Sequence, residues 1–152
     1  MKKFVLVACC FLFLVGCSRQ ESNKTVLHRE FYETLWERFD YVQDNIEVKA
    51  ETSYDLSLKI AFTDDYPYND FSMIFTVFSS DGEPYRSKGY KFNVKDEEGL
   101  WNVESVDGCH TFVFPINKEL RISEPDTYSF QIENHMPITP LVGVKELTLL
   151  NH

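Results

Sequence analysis

The chain has 152 residues, 43% of them hydrophobic, and a formal net charge of −9. This length suits a single domain that buries a real core without disulfides. The acidic balance argues against nucleic acids and anionic lipid headgroups as partners, because both are bound through lysine and arginine. Aromatic residues make up 15% of the chain, and phenylalanine is the commonest of them, which predicts a well-filled interior.

The N-terminal segment has the layout of a secretory signal. Lys2 and Lys3 precede a mostly apolar run, 4–15, that is shorter than the roughly 20 residues of a transmembrane helix. The run ends in Leu14-Val15-Gly16-Cys17, which resembles the lipobox of bacterial lipoproteins. We therefore expect cleavage before Cys17, acylation of its thiol, and membrane anchoring through the attached lipid.

Three segments follow from this layout. Residues 1–16 are predicted to be the signal peptide, 17–25 a lipidated polar tether, and 26–152 one folded domain. After cleavage only Cys17 and Cys109 remain, and lipidation of Cys17 leaves no partner for an intramolecular disulfide. Cys109 is predicted to be a buried free thiol.

Most of the folded domain shows the polar and apolar alternation of β-strands. Residues 26–39 fit a helical stripe and an extended segment equally well, so both stay open. In 54–62 every second residue is apolar, which predicts a half-buried antiparallel strand. Residues 71–78 are apolar at nearly every position, which predicts a central strand covered on both sides. Further strands are predicted at 85–94, 100–106, 111–114, 128–133 and 141–150.

Two local signals refine these strands. Pro115 is expected to end the strand at 111–114, and a phase slip at Lys145-Glu146 predicts a β-bulge. Seven or eight short strands with frequent turns predict an all-β fold, an antiparallel β-sandwich of the jelly-roll or Ig-like type.

Several motifs in this order resemble one known family. A Leu-x-Leu-x-Ile strand runs into Asp64-Asp65-Tyr66-Pro67-Tyr68-Asn69-Asp70-Phe71, and Asp96-x-x-Gly99-x-Trp101 follows. The remaining matches are Pro125-Asp-Thr-Tyr128, Glu133-Asn-His135-Met136 and Leu141-x-Gly143-Val144. Together with the lipobox, these motifs resemble the gliding motility lipoprotein GldH family of the Bacteroidetes.

The resemblance implies a location and a class of partner. A member of this family is expected to be a β-sandwich lipoprotein of the outer membrane, within a gliding apparatus linked to protein secretion. Its expected partners are the membrane, through the N-terminal lipid, and other envelope proteins. We expect no nucleic acid, no cofactor and no small-molecule ligand. Relatives also occur in bacteria that do not glide, so the resemblance supports the location and the fold more than the process.

Residues that could carry chemistry are present but scattered. The acidic groups Asp64-Asp65 and 96–98 are sequence neighbours, so they are interpreted as turn formers and solvated charge rather than an acid/base pair. Calcium ligation by Asp64, Asp65 and Asp70 matches no known loop spacing. The histidines show no zinc-like spacing, and no metal site is predicted; they are His28, His110, His135 and His152. We expect no enzymatic activity, since a hydrolase would need two carboxyl groups that converge in a cleft.

The candidate binding surface consists of Tyr66, Pro67, Tyr68 and Trp101. Two tyrosines that flank a proline form a rigid aromatic pair of the kind used for protein or sugar contacts. The alternative interpretation is that the rings pack back onto the sandwich and brace its corner. Two functions remain open: a non-catalytic envelope component that binds proteins, and a glycan-binding lipoprotein that stacks sugars on these rings.

Overall fold

The computed structural model describes residues 23–152. Over this range the chain forms eleven β-strands and one short 3-10 turn, Tyr32–Thr34. The strands are β1 (Lys24–Glu30), β2 (Leu35–Trp36), β3 (Val42–Val48), β4 (Thr52–Phe62), β5 (Asp70–Phe78), β6 (Pro84–Asn93), β7 (Ser105–Val106), β8 (Cys109–Ile122), β9 (Asp126–Asn134), β10 (Leu141–Val142) and β11 (Val144–Asn151). Within residues 23–152, no helix has the length and hydropathy that a membrane span requires.

Two antiparallel sheets make up the body of the domain. The larger sheet has the strand order β1-β11-β4-β8-β7, and the smaller has the order β3-β9-β5-β6. The short strands β2 and β10 pair with each other separately. Residues from the facing sides of both sheets form one hydrophobic core, so the predicted antiparallel β-sandwich is confirmed.

The core is built by the alternation that the sequence showed. Eight inward side chains of β4 and β5 are at most 2% exposed; they are Leu56, Leu58, Ile60, Phe62, Phe71, Met73, Phe75 and Val77. The rings of Phe62 and Phe71 meet across the sheets, 5.7 Å apart. On the outer side of β5, Ser72, Ile74 and Phe78 are only half-buried, so this central strand is covered completely on one side alone.

The predicted bulge is confirmed, and the predicted strand end at Pro115 is wrong. The pairing of β11 with β4 shifts register between Val144 and Glu146. β8 continues through Pro115 to Ile122. The edge of β8 that faces away from β4 pairs with β7 only at Cys109 and His110, and no other described strand pairs along that edge. A proline is tolerated at such an edge position because the strand loses no ladder hydrogen bond.

The segment 26–39, which the pattern left open, is mainly extended. It contains most of β1, the 3-10 turn and β2. β1 begins at Lys24, so Lys24 and Thr25 belong to the sheet and not to the tether to which the sequence analysis assigned them. The predictions for the signal peptide and for Cys17 concern residues outside the described range.

The strand directions give the sandwich two distinct ends. At the proximal pole, β1 begins and β11 finishes, and Nδ1 of His152 lies 2.8 Å from Oδ1 of Asn23. At the distal pole, β1 ends next to the start of β11, and β4 ends next to the start of β8. The 11 residues of β4 span roughly 36 Å. The poles are therefore far apart, and the predicted candidate surface lies at the distal pole.

Candidate functional site

The loops at the distal pole close over a group of rings that we call the aromatic corner. Its members are Phe62, Tyr66, Tyr68, Trp101, His110 and Phe112. Phe62 ends β4, while His110 and Phe112 lie near the start of β8. The two loops that follow β4 and β6 supply the tyrosines and Trp101, and an isolated bridge between Lys95 and Trp101 fixes the second loop.

Tyr66 points inward and is fully buried. Its exposure is 0%, and its ring centroid lies 4.4 Å from that of Phe62. The phenol Oη donates a hydrogen bond of 2.6 Å to the carbonyl oxygen of Asp70. A turn in which the Tyr66 N–H donates to the Thr63 carbonyl, at 3.1 Å, directs the ring toward the core. Tyr66 therefore has no free face on which a ligand could stack.

Trp101 is half-buried between a histidine and a lysine. Its ring stacks on that of His110, with centroids 4.1 Å apart and planes 9° from parallel. Lys95 Nζ lies 4.4 Å from the centroid of the indole and donates a 2.6 Å hydrogen bond to the Tyr66 carbonyl oxygen. A cation over an indole contributes about 0.5–1 kcal/mol at exposed sites. Lys95 thus ties the loop of Trp101 to the loop of Tyr66.

His110 connects the corner to the surface. Its side chain is 7% exposed; Nδ1 lies 3.1 Å from the Val103 carbonyl oxygen and Nε2 lies 2.9 Å from Asp64 Oδ1. Asp64 itself is 81% exposed. The sequence analysis missed this pair because 46 residues separate its members. Only the pairing of Phe62 with His110 across β4 and β8 brings His110 beside the loop of Asp64.

The structure brings the four candidate binding residues together but turns them in different directions. The ring centroid of Tyr66 lies 5.7 Å from that of Tyr68 and 6.2 Å from that of Trp101. Pro67 is exposed, Tyr68 and Trp101 are half-buried, and Tyr66 is buried. A stacking platform that uses both tyrosines is therefore not formed, and a binding role for Pro67, Tyr68 and Trp101 remains a prediction.

Three of the aspartates singled out in the sequence form turns or pair with nearby side chains. Asp96 Oδ1 accepts hydrogen bonds from the backbone N–H groups of Glu98 and Leu100, at 2.9 and 2.8 Å, as a turn former does. Asp64 faces His110, whereas Asp70 pairs with Lys91 at 3.1 Å. Asp64 and Asp70, two of the three aspartates considered for calcium, thus engage different partners.

Cys109, the cysteine that the sequence analysis predicted to be a buried free thiol, is 8% exposed and is a free cysteine in the structure.

Gly143 is the residue that allows the corner to close. It lies between β10 and β11 with φ = +85°, a conformation that favours glycine. A Cβ atom here would lie 2.7 Å from Tyr66 Cα and 2.9 Å from Tyr66 Cβ. The Gly143 N–H donates to the Thr34 carbonyl and its own carbonyl accepts from the Thr63 N–H, both at 2.9 Å. Sequence spacing gave no sign of this close approach.

The fold and the corner define a class of protein, an antiparallel β-sandwich domain whose conspicuous loop aromatics form a brace at one pole. The family described as GldH lipoprotein matches residues 26–149. The chain therefore belongs to the GldH lipoprotein family, as its motifs indicated. Membership implies a lipid-anchored protein of the cell envelope, and the family is not a known enzyme family.

Six solved chains match this chain, and one of them aligns with most of its length. It is the crystal structure of dimeric latent PorU from Porphyromonas gingivalis, with 10% sequence identity and a TM-score of 0.39. The match covers 85% of this chain and 12% of the PorU chain. Among curated proteins, none matches the chain significantly.

We predict that Gly143→Ala strongly destabilises the domain. The left-handed backbone costs a residue with a Cβ atom about 1–2 kcal/mol, and overpacking against Tyr66 adds about 1–3 kcal/mol. Urea unfolding followed by the fluorescence of Trp36 and Trp101 should show a loss of about 2–5 kcal/mol. Gly89→Ala is the matched control, because a Cβ atom at Gly89 meets nothing within 4 Å. An equal, small effect of both substitutions would contradict this account of Gly143.

We predict that Tyr66 makes the domain sensitive to alkaline pH. Burial, and then the negative charges of Asp70 and ionised Tyr68, raise the pKa of Tyr66 above its ordinary value of 10.0. Above that value the unfolded chain loses the phenol proton while the folded chain keeps it, so stability falls by up to about 1.4 kcal/mol per pH unit.

Tyr66→Phe removes this proton and should give a shallower decline of stability between pH 9 and about pH 11. At neutral pH the same variant should be less stable by about 1–3 kcal/mol, because the Asp70 carbonyl loses its donor. Parallel curves of unfolding free energy against pH for the two proteins would show that Tyr66 does not carry the effect.

Proposed function

We propose that this chain is a non-catalytic lipoprotein of the outer membrane, anchored through Cys17, that serves as an interaction component of a gliding or secretion-related envelope assembly. Its family membership supports the lipid anchor. The observation that carries the interaction role is the distribution of exposed hydrophobic side chains, which concentrate at the distal pole.

Six of the eight large exposed hydrophobic side chains of the described residues lie on distal-pole loops or short strands; they are Tyr32, Phe39, Leu100, Val106, Ile138 and Val142. The other two, Tyr85 and Val113, lie on the long strands β6 and β8. Tyr32 is 84% and Phe39 is 71% exposed. Exposed aromatic side chains of this kind are enriched in protein interfaces.

The loop that carries Phe39 is held in place rather than left free. Phe39 has φ = +65°, which is uncommon for a bulky residue and is maintained only where the surroundings impose it. The neighbouring Arg38 N–H donates to Thr139 Oγ1 at 2.8 Å, and its guanidinium donates to the Pro137 carbonyl at 3.3 Å. Arg29 pairs with Asp40 on the other side. A pre-ordered aromatic side chain loses little entropy when a partner covers it.

The anchor and the exposed residues belong to opposite ends. Six Cα–Cα steps separate Cys17 from Asn23 at the proximal pole, a reach of at most about 22 Å. A lipid on Cys17 would therefore keep the proximal pole close to the membrane and leave the distal pole accessible to proteins. The proposed tether is residues 17–23, because the sheet begins at Lys24.

We expect Cys17→Ala to abolish lipidation. Cells labelled with radioactive palmitate should yield labelled wild-type protein and unlabelled variant, and the variant should leave the membrane fraction. The match of the family to residues 26–149 does not include Cys17, so this test is independent of it. Persistent labelling of the variant would place the lipid on another residue.

We expect Phe39→Ala to weaken the envelope complex by about 2 kcal/mol or more, since it removes an exposed anchor of the proposed interface. The measurement is photo-crosslinking in intact cells from a reactive residue at position 32, compared between chains that retain Phe39 and chains that carry Phe39→Ala. The matched control is position 113, where Val113 is 55% exposed on the side of β8. Equal adducts from positions 32 and 113, or none from position 32, would contradict a distal interface.

A further inference from the structure

Three side chains with metal-binding atoms meet on the outer face of the larger sheet, away from the aromatic corner. His28 and Glu30 are two residues apart in β1, so both point to the same face. Glu146 in β11 is the direct cross-strand partner of Glu30. One ligand atom from each of the three side chains lies within 4.8 Å of the other two. Their grouping follows from the register of β1 and β11.

A fourth residue orients the imidazole. Thr148, the cross-strand partner of His28, places its hydroxyl 2.8 Å from His28 Nδ1. Thr148 is only 9% exposed, although it lies on the outer side of its strand. When Nδ1–H donates to this hydroxyl, Nε2 offers its lone pair toward Glu30, whose Oε1 is 3.9 Å away. Metal-ligating histidines commonly have their other ring nitrogen fixed in this way.

The electrostatics of the group favour a cation. Glu30 and Glu146 are like charges directly opposite each other in an antiparallel pair, which is a destabilising arrangement. Among the ion pairs of the described residues, Glu30 takes part only in the one with His28, and Glu146 in none. No lysine or arginine in the described part of the chain therefore neutralises the two carboxylates at contact distance.

We propose that His28, Glu30 and Glu146 form a zinc site with three protein ligands and an open fourth position. An imidazole with two carboxylates suits zinc, whereas calcium and magnesium prefer oxygen ligands alone. Ligand atoms around tetrahedral zinc lie about 3.3 Å apart, so the separations in the present group, which are at most 4.8 Å, must shorten by up to about 1.5 Å. Glu30 is 80% exposed in its side chain and is free to rotate by that amount.

The site has a structural consequence for the chain. β1 is an edge strand that pairs with β11 alone, and it is the first strand after the N-terminal segment. A metal ion bound by both strands ties this edge to the sheet, and it stabilises the folded state because the unfolded chain does not hold the three ligands together.

The test is calorimetric titration of zinc chloride into the full chain, purified from membranes in detergent and dialysed against a chelator. We expect one zinc ion per chain, a rise of the thermal midpoint with zinc, and an absorption band typical of tetrahedral coordination when cobalt replaces zinc. His28→Ala and Glu146→Gln should each weaken binding at least tenfold. His135→Ala, which removes an exposed histidine from the distal pole, is the matched control and should leave binding unchanged.

Each outcome decides the proposal. Loss of binding in both variants, with retention in the control, supports it. No saturable binding to the wild type, or equal binding by the wild type and both variants, overturns it. If His28→Ala fails to fold, Glu146→Gln decides the question, since its side chain keeps the same shape. A tetrahedral cobalt spectrum that persists in Glu146→Gln would also overturn the assignment.

Discussion

The close approach of Gly143 to Tyr66 is the constraint on which the distal pole depends. Backbone hydrogen bonds of Gly143 reach Thr34 on one side and Thr63 on the other. Three segments that are distant in sequence therefore meet at one residue: the 3-10 turn before β2, the loop after β4, and the junction of β10 and β11. The approach is possible only without a Cβ atom, because that atom would occupy the space of the Tyr66 backbone. The burial of Tyr66 follows from this geometry.

Once Tyr66 is buried, its neighbours become part of the same brace. Lys95 holds the Tyr66 carbonyl and covers Trp101, and Trp101 stacks on His110. Each aromatic pair in such a cluster contributes about 0.5–1.5 kcal/mol beyond the area that it buries. The packing of these residues stabilises the loops at the pole. The most exposed aromatic side chains of this pole, Tyr32 and Phe39, are residues that no motif distinguished.

The sequence revealed those parts of the fold that depend on strand periodicity. The alternation in 54–62 and the phase slip at Lys145 correspond to β4 and to the register shift in β11. The predicted strand end at Pro115 was wrong because the cost of a proline depends on whether its strand edge is paired, which is a tertiary property. β2 has only two residues and was too short to show a period. The inward turn of Tyr66 and the pairing of His110 with Asp64 depend on contacts between distant loops, and spacing carries no information about them.

The zinc ligands were hidden for a related reason. His28 and Glu30 share a face only if their segment is a strand, and the pattern at 26–39 left helix and strand open. Glu146 lies beside the bulge of β11, so the side of the sheet to which its side chain points could not be derived from simple alternation. The register of β1 with β11 supplied the missing relation.

The edge strands β6 and β8 form a side of the sandwich that is closed to an added strand. Along the outer edge of β8, Tyr90 donates to the Ile116 carbonyl and Tyr85 donates to the Arg121 carbonyl at 3.0 Å, so side chains occupy backbone acceptors that an added strand would need. Strand β6, at the edge of the smaller sheet, carries Arg86 and Lys88, and cations on an edge strand disfavour strand addition. The exposed hydrophobic residues of the distal pole have no comparable protection. The domain thus hinders strand addition along the β6 and β8 edges and leaves apolar side chains uncovered at one end, an arrangement that supports the proposed interaction role.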